Sequence, residues 1–412
     1  MIMLKNMKKY TLILALLTFV GISLSCTREE PLPVSSLKVS VNLPENFRTD
    51  VKFANKEVVF TSSSNTYRFT TDAQGKITVN SLIPDEYNVT ASWEMTGAEY
   101  KQLIANPEPV EDRAKILVTA VLNNHKIFSN INVNLNLEKI ILRDLLISKI
   151  YYTGTKDNAN KNYTSDSYVE IYNTSDETVY IDGKYIALTE SINTPAYPAK
   201  DNPGFIYTRQ ICKFPGDGND YPVLPGKSIV IAARSARDHR LSASTSVDLS
   251  TADFEVKDAD GSGNPDVKAL PIISNSLSGI KFFNLLGSGG NGVFIFETTE
   301  DILSWPEVYA PGKTSGERFR RVPVDVVIDG VECLKNNVGT GPDINLKRLH
   351  FVVDAGYTFV NATSGYTHES VERKVIIRDG VIKLKDSNNS IEDFVISLDP
   401  TPRKYDKPEL NN

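Results

Sequence analysis

One stretch of the sequence carries oxygen ligands at a spacing that suits calcium. Residues 258–266 run Asp-Ala-Asp-Gly-Ser-Gly-Asn-Pro-Asp. Calcium takes about six to eight oxygen ligands, and its loops have a glycine at the sixth place, where the chain turns sharply. That glycine is present, but Ala269 stands at the twelfth place, where a bidentate glutamate is expected. The sequence therefore predicts a weak calcium site, with a solvated turn as the alternative, on Asp258, Asp260, Ser262, Asn264 and Asp266.

The other motifs that could do chemistry lack the surroundings they need. Residues 287–292 spell G-x-G-x-x-G, but a strand-like run follows where a dinucleotide site needs a helix, so we interpret them as a hairpin loop. Residues 311–314 end like a phosphate-binding loop, but Glu307 replaces its first glycine. No nucleophile turn of the form G-x-S-x-G is present. The histidines also lie at no metal-binding spacing: His125, His239, His350 and His368. The sequence thus predicts no catalytic residue, no cofactor and no enzyme.

Cys26 ends a segment that is typical of export. Three lysines precede an apolar run over residues 10–24, which is shorter than the ~20 residues that a spanning helix needs. Ser25 stands directly before Cys26, and polar residues follow. This arrangement resembles the lipobox of bacterial lipoproteins, although Ser23 replaces the leucine that the pattern prefers. The resemblance implies a signal peptide over residues 1–25, lipidation of Cys26 and a linker over residues 26–36. An ordinary secretory peptide is the alternative.

Composition limits the possible partners, the location of the protein and the state of its cysteines. The formal net charge is −6, and no basic stretch stands out, so we expect no nucleic-acid partner. An acidic pair, Glu29 and Glu30, resembles the signal that sends Bacteroidota lipoproteins to the cell surface. After the anchor, only Cys212 and Cys333 remain, and they are either a disulfide or two separate buried thiols.

The chain after Cys26 has the pattern of an all-β protein. Short runs rich in Val, Ile, Tyr and Phe are separated by Gly, Asn, Asp and Pro, as in β-sandwiches. Residues 130–137 alternate strictly between asparagine and apolar residues, which predicts a strand with one buried face. Helical periodicity is almost absent.

A first module is predicted over residues 37–140. Within it, three strands are joined by turns at residues 72–75 and 84–85. The T-D-x-x-G turn and the P-D-E-Y corner resemble carboxypeptidase-regulatory, transthyretin-like modules. The resemblance implies a small prealbumin-like β-sandwich that acts as a spacer or docking platform.

A second region is predicted over residues 142–411. Its strand motifs stand in the order of a lamin-tail domain: L-I-S-K-I-Y at 146–151, Y-V-E-I-Y-N at 168–173, L-P-G-K-S-I-V-I at 224–231, S-V-E-R at 370–373 and T-P-R at 401–403. The resemblance implies an enlarged immunoglobulin-like sandwich with insertions, chiefly between residues 194 and 291. Lys149 replaces an acidic residue of the family pattern, and Arg403 replaces its final glycine.

Together, these features resemble an uncharacterised family of Bacteroidota outer-membrane lipoproteins. We expect a lipid-anchored, surface-exposed, non-catalytic binding or accessory protein with a protein or glycan partner, a TonB-dependent nutrient transporter being one candidate. Long loops over residues 191–220 and 234–275 would present the binding site. Aromatic residues in and beside the first loop suit such contacts, but could equally pack at sandwich edges: Tyr197, Phe205, Tyr207, Phe214 and Tyr221. The alternatives are an architectural adhesin or spacer and a metal-assisted hydrolase.

Overall fold

The structure is a computed structural model that describes residues 35–405, apart from residues 109, 111, 113, 143, 192–203, 259–261, 278 and 379–380. Cys26 and the predicted signal peptide lie outside the described residues. Strands dominate the described chain, and they form several stacked sheets, which confirms the predicted all-β sandwich fold. Among the described residues, the helices are all too short or too polar to cross a membrane.

The first region, residues 35–142, holds two sheets with the strand orders β4-β1-β7 and β3-β2-β5-β6-β8. Its strands are β1 (Ser35–Asn42), β2 (Glu57–Thr61), β3 (Thr66–Thr70), β4 (Lys76–Leu82), β5 (Asp85–Thr96), β6 (Lys115–Ile127), β7 (Ile131–Asn136) and β8 (Glu138–Leu142). A short helix α1 (Gly97–Lys101) begins at a capping box of Thr96 and Glu99.

Local sequence explains these elements well. In β7 the apolar Val133 and Leu135 are buried and the alternating asparagines are exposed, as the period-two pattern predicts. In the predicted turn at residues 72–75, the Asp72 carboxylate accepts hydrogen bonds from the amides of Gln74 and Lys76. Gly75 has a φ of 72°, where a glycine meets no steric cost.

The second region, residues 145–405, is built on two larger sheets. The front sheet has the order β19-β18-β17-β12-β9-β25-β28, and the back sheet has the order β22-β23-β15-β14-β21-β24, with β20 paired to β15. Smaller ladders pair β10 with β11, β13 with β16 and β26 with β27.

The elements of the second region have the following bounds. The strands are β9 (Leu145–Tyr151), β10 (Thr155–Lys156), β11 (Asn162–Tyr163), β12 (Tyr168–Asn173), β13 (Val179–Tyr180), β14 (Tyr185–Thr189), β15 (Phe205–Lys213), β16 (Pro222–Val223), β17 (Ser228–Ala232), β18 (Phe254–Glu255), β19 (Lys268–Ala269), β20 (Ile272–Asn275), β21 (Asn291–Phe296), β22 (Glu307–Tyr309), β23 (Arg318–Pro323), β24 (Val327–Cys333), β25 (Ser370–Arg373), β26 (Val375–Arg378), β27 (Val381–Leu384) and β28 (Phe394–Ser397). The helices are α2 (Ser390–Asp393) and the 3₁₀ turns His239–Leu241, Ile302–Ser304, Val324–Val326 and Ile344–Leu346.

A shared apolar core holds the front and back sheets together. Ile147 and Ile231 from the front sheet pack with Ile186 and Val293 from the back sheet, and all four side chains are fully buried. The strands with the quoted motifs of the second region, β17, β12, β9 and β25, are consecutive neighbours in the front sheet. The first region has a core of its own, which draws only on residues of that region. The predicted module boundaries and the likeness to lamin tails stay predictions.

Three local interpretations of the sequence need correction. The stretch 191–220 is not one loop, because β15 occupies residues 205–213 at the centre of the back sheet. The stretch 234–275 contains β18, β19 and β20. The turn at residues 287–290 is not a hairpin, because β20 pairs with β15 whereas β21 pairs with β14 and β24. Polar residues such as Arg209 and Gln210 interrupt the apolar pattern that would mark β15 as a strand. Pairing with β14 and β23 stabilises β15 as a strand despite this local sequence.

Cys212 and Cys333 are separate buried thiols. Both belong to the core between the sheets, and burial raises the pKa of each thiol far above its ordinary value. Of the two alternatives left open by the sequence, the structure selects the unpaired one.

Hydrogen bonds join the two regions. The Thr90 hydroxyl donates to the Glu392 carboxylate at 2.6 Å, and the Asn123 amide donates to the Ala355 carbonyl at 2.7 Å. A cavity of about 40 Å³ lies at this junction, lined by β8 on one side and by Asp329 and neighbouring residues on the other.

Candidate functional site

The end of the front sheet that lies away from the first region gathers several loops. Tyr151 pairs with Tyr168 and Ser370, and Tyr168 pairs with Ala232, so these four residues form one row across the sheet. Leu145, just after the first region, lies at the opposite end of the same strand. Residues 152–167, 233–253 and 360–369 leave or enter the sheet at this row, and we call them the distal loops.

A buried chain of hydrogen bonds ties the distal loops together. The Tyr151 and Ser246 hydroxyls both donate to Oδ2 of Asp166, at 2.9 and 2.6 Å. Nδ1 of His368 lies 3.2 Å from the Tyr151 hydroxyl. Asp166 and Tyr151 are fully buried. The network therefore joins one residue of each distal loop to the end of β9 and fixes the loops relative to the sheet.

Burial shifts the pKa values of two groups in this network. It raises the pKa of Asp166, an effect that the hydrogen bonds from Ser246 and Tyr151 partly offset, and it lowers the pKa of His368. His239 is similarly held: its Nδ1 lies 2.6 Å from the Tyr163 hydroxyl, and its Nε2 lies 2.9 Å from the Ser235 carbonyl oxygen. Neither His239 nor His368 thus forms the Ser–His or Cys–His pair of a nucleophilic enzyme.

This network is not apparent from the sequence. Tyr151 and His368 are 217 positions apart, and no local spacing connects them. The sequence signal that could have indicated it is the position of Asp166 and His368 relative to the motif strands. Asp166 and His368 each lie two residues before a motif strand, β12 and β25 respectively, and those strands are neighbours of β9.

The backbone of the third distal loop is strained. Tyr366 and His368 have φ angles of 64° and 60°, in the left-handed region that most side chains avoid. Their amides donate to the carbonyls of Thr153 and Gly154 at 2.7 and 2.8 Å, so the first distal loop holds the third in place. Such strain costs roughly 1–3 kcal/mol per residue and concentrates at functional sites.

The exposed side of the distal loops combines apolar, aromatic and basic groups. Leu241 is 81% exposed at the end of a 3₁₀ turn. Its carbonyl and that of Ser242 accept hydrogen bonds from Asn158, which locks the first and second distal loops together. Arg237 donates to the Tyr163 hydroxyl at 2.9 Å. We call this patch the distal surface: Lys156, Asn158, Tyr163, Arg237, Arg240, Leu241 and Tyr366.

The predicted calcium residues are only partly described, because Asp260 lies outside the described residues. Asp258 is ion-paired with Lys281 at 3.0 Å. The Asn264 side-chain amide donates to the carbonyls of Ala236 and Ser250, at 2.9 and 3.3 Å, and its oxygen accepts the Asp266 amide at 3.0 Å. Within the described ranges, no group of three or more His, Cys, Asp or Glu side chains is arranged to hold a metal. Calcium binding by Asp258, Asp260, Ser262, Asn264 and Asp266 stays a prediction.

Calcium binding at residues 258–266 would raise thermal stability by mass action, by about 2.7 kcal/mol at a hundredfold excess of free metal over its dissociation constant. We compare melting temperatures in chelator and in millimolar calcium, for the wild type and for Asp258→Ala. A shift confined to the wild type supports the site. No shift, or the same shift in both proteins, identifies the stretch as a solvated turn.

The aromatic residues near the other predicted loop mostly pack inside. Phe214 is fully buried, Tyr207 is nearly so, and the Tyr221 ring packs on Phe254 at 5.3 Å. Phe205 remains partly exposed, with the Arg321 guanidinium 4.5 Å from its ring centroid. Tyr197 lies outside the described residues. Packing inside the fold therefore accounts for three of these five aromatic residues.

Comparison with known proteins finds a family that the second region resembles. Residues 224–401 match the family model described as "Protein of unknown function (DUF4876)". No curated protein matches the chain. A crystal structure of a DUF4876 family protein from Bacteroides thetaiotaomicron VPI-5482, at 2.50 Å resolution, is similar to this chain with a TM-score of 0.57 and 23% sequence identity. The match covers 92% of this chain and 99% of that one, and at this identity it shows a shared fold. Residues 224–401 therefore resemble the DUF4876 family, and the chain shares its fold with one member of that family.

Proposed function

We propose that this protein is a non-catalytic binding or accessory lipoprotein, anchored at Cys26 to the outer membrane and exposed at the cell surface. The observation that supports this proposal is the distal surface. It lies at the end of the second region opposite the first region, and the first region directly follows the anchor linker. The buried hydrogen bonds to Asp166 hold the distal loops in fixed positions, so the distal surface is preorganised for a partner.

The composition of the distal surface favours a protein as the partner over a glycan. Tyrosine and arginine are the residues that most often dominate protein interfaces, and charged rims surround their apolar centres. On the distal surface Leu241 is the exposed apolar residue, and Arg237 donates a hydrogen bond to the Tyr163 hydroxyl. Arg240 is ion-paired with Asp238 and Asp248, at 2.7 and 2.8 Å, which holds its side chain in one position.

Buried charges elsewhere support a structural rather than a catalytic role. Arg348 is ion-paired with Glu190, and Lys149 lies 2.9 Å from Glu372, with both cations almost fully buried. A catalytic carboxylate must reach a substrate, whereas these groups are paired inside the fold. An architectural adhesin or spacer is the second candidate function, and a partner bound at the distal surface distinguishes the two.

Lipid anchoring is tested by Cys26→Ala. The wild type should fractionate with outer membranes, and the variant should appear in the soluble fraction, because the thiol that carries the acyl chains is gone. Mass spectrometry of the mature N-terminus checks the acylation directly. A wild type without acyl chains, or a variant that stays equally membrane-bound, would contradict the proposed anchor.

Partner binding is tested by Leu241→Ser. The native protein is isolated from outer membranes, and the copurifying protein is quantified. Loss of an exposed apolar centre should lower its recovery about tenfold or more. Leu303→Ser is the matched control, since Leu303 is also exposed (55%) on a 3₁₀ turn but lies outside the distal surface. If both variants retain the partner, or both lose it, the distal surface is not the binding site.

A further inference from the structure

The C-terminal segment crosses the outer face of the front sheet. It follows β28, an edge strand, and passes over β9 and β12 in the middle of the sheet. Residues 399–405 form this segment, which we call the strap. Leu398, just before it, is 70% exposed and lies outside the packed part of the fold.

The sheet binds the strap chiefly through the strap's main chain. The Lys149 ammonium donates to the carbonyls of Thr401 and Lys404, at 2.9 and 2.7 Å. The Arg403 amide donates to both oxygens of the Glu170 carboxylate, at 3.0 Å each. One buried cation therefore binds two main-chain carbonyls and one buried anion binds a main-chain amide, groups that every peptide has.

One aromatic side chain anchors the strap. The Tyr405 ring lies with its centroid 4.9 Å from the Lys149 ammonium and meets the Tyr172 ring edge-on at 5.0 Å. Its hydroxyl donates to Glu170 at 2.7 Å and lies 2.7 Å from the Ser148 hydroxyl. Main-chain recognition together with one side-chain pocket is how proteins bind extended peptides.

The face beneath the strap joins buried charged groups to an apolar cluster. Glu170 is fully buried and the Lys149 side chain is 1% exposed. Burial raises the pKa of Glu170, which reflects the cost of removing its charge from water. Apolar residues in place of these two charges would hold a fixed tail at lower cost, whereas charged groups can be hydrated when a segment leaves. The apolar cluster contacts the Tyr405 ring and consists of Leu146, Tyr172, Val375 and Leu384.

The strap itself suits reversible docking. Two prolines, Pro400 and Pro402, restrict its backbone, so little conformational entropy is lost when it binds. Arg403 adopts a φ of 63° and forms an ion pair with Asp253 at 2.5 Å at the rim of the groove.

We propose that the groove formed by Ser148, Lys149, Glu170 and Tyr172 is a peptide-recognition site, occupied by this chain's own strap and able to accept the strap of a second copy. Exchange of an identical segment keeps every contact described above, and it needs only a change of path at Leu398. This site lies on the face of the front sheet and is distinct from the distal surface.

The first experiment releases the strap. A protease site is inserted between Leu398 and Asp399, the folded protein is cut, and a fluorescent peptide of residues 399–405 is added in excess. The cut protein should bind one peptide per chain with saturation. The uncut protein should bind at least about tenfold less, because its tethered strap competes at an effective concentration in the millimolar range. No binding by a cut protein whose far-UV spectrum matches that of the uncut protein overturns the proposal.

Two variants make the result specific. Lys149→Met in the cut protein should abolish peptide binding, whereas Lys184→Met, which removes an ion pair on the back sheet at 2.8 Å from Glu297, should leave it unchanged. A peptide with Ala in place of Tyr405 should not bind. The proposal is overturned if the cut Lys149→Met variant binds the peptide as well as the cut wild type, or if the cut wild type binds both peptides equally.

A variant of the uncut chain covers the case in which cleavage unfolds the protein. Tyr405→Ala weakens the tethered strap and leaves the groove intact, so the uncut variant should bind the wild-type peptide at least about tenfold better than the uncut wild type. Equal binding overturns the peptide site.

Exchange between copies is tested by complementation. A full-length Lys149→Met chain supplies a strap without a working groove, and the cut chain supplies a groove without a strap. The mixture should form a one-to-one complex in size-exclusion chromatography with light scattering. If the peptide binds but this complex does not form, the second-copy part of the proposal is wrong.

Discussion

Replacing Arg373 by methionine should lower the free energy of unfolding by about 3–5 kcal/mol at neutral pH. The Arg373 side chain is 3% exposed and is surrounded by three carboxylates: Asp329 at 3.1 Å, Asp386 at 3.2 Å and Asp393 at 3.5 Å. Methionine fills the volume of the aliphatic stem but removes the charge. The carboxylates would then remain buried without their shared cation, which is the costly half of breaking a buried ion pair.

The loss should depend on pH in a defined direction. Burial raises the pKa of Asp329 and of Asp393 to about 7, even with Arg373 present. In the unfolded chain both pKa values lie near 3.9. Between about pH 4 and pH 7 the folded state therefore binds more protons, so these two groups stabilise the fold at low pH and their contribution falls as pH rises. Without Arg373 both pKa values rise further, and the variant should recover most of its deficit near pH 4.5, where the carboxyls are protonated.

Urea unfolding at pH 4.5 and pH 7.5 measures this effect. The difference between variant and wild type is the relevant quantity, because burial also raises the pKa of other carboxyls, including Glu190 and Glu332. Arg240→Met is the control, since Arg240 also pairs with two aspartates but lies at the surface, and it should change stability little at either pH. If Arg373→Met costs the same at both pH values, the carboxyls around it do not titrate as stated.

Local sequence patterns predicted much of this fold because its strands alternate in a regular way. The asparagine alternation of β7 and the aspartate–glycine turn at residues 72–75 are local properties, and both are present in the structure. The motifs of the second region also marked its central strands, since β12, β9 and β25 lie side by side. The centre of the back sheet was harder to predict, because β15 carries polar residues whose partners, such as Phe282 and Glu317, are distant in sequence.

The two departures from the lamin-tail pattern meet at the strap interface. Lys149 donates to strap carbonyls, and the Arg403 side chain, within the strap, is ion-paired with Asp253 at 2.5 Å. The sequence marked each residue as unusual, but only the fold brings them to the same groove, because they are 254 positions apart by subtraction of their residue numbers. The distal network was hidden for the same reason. Pattern analysis finds groups that are close in sequence, whereas these sites join the ends of separate strands.

Replacing Gly154 by alanine should destabilise the protein by about 2–4 kcal/mol and displace the first distal loop. Gly154 has a φ of 65°, and an added Cβ would lie 2.2 Å from the Tyr163 carbonyl oxygen and 2.8 Å from Cγ2 of Thr164. The carbonyl is main chain, so it cannot swing aside as a flexible side chain would. Relief requires β10 and β11 to separate, and Tyr163 of the distal surface would then move.

Gly183→Ala separates the effect of the clash from that of the backbone conformation. Gly183 has a φ of 69°, but an added Cβ would meet nothing within 4 Å. Its replacement should cost only the left-handed conformation of alanine, about 1–2 kcal/mol. Chemical unfolding measures both costs, and hydrogen exchange at the His368 amide, which donates to the Gly154 carbonyl at 2.8 Å, reports on the distal loops. Exchange should accelerate, and recovery of the copurifying partner should fall, in Gly154→Ala alone. Equal costs and unchanged exchange in both variants would show that the distal loops are not held by this close approach.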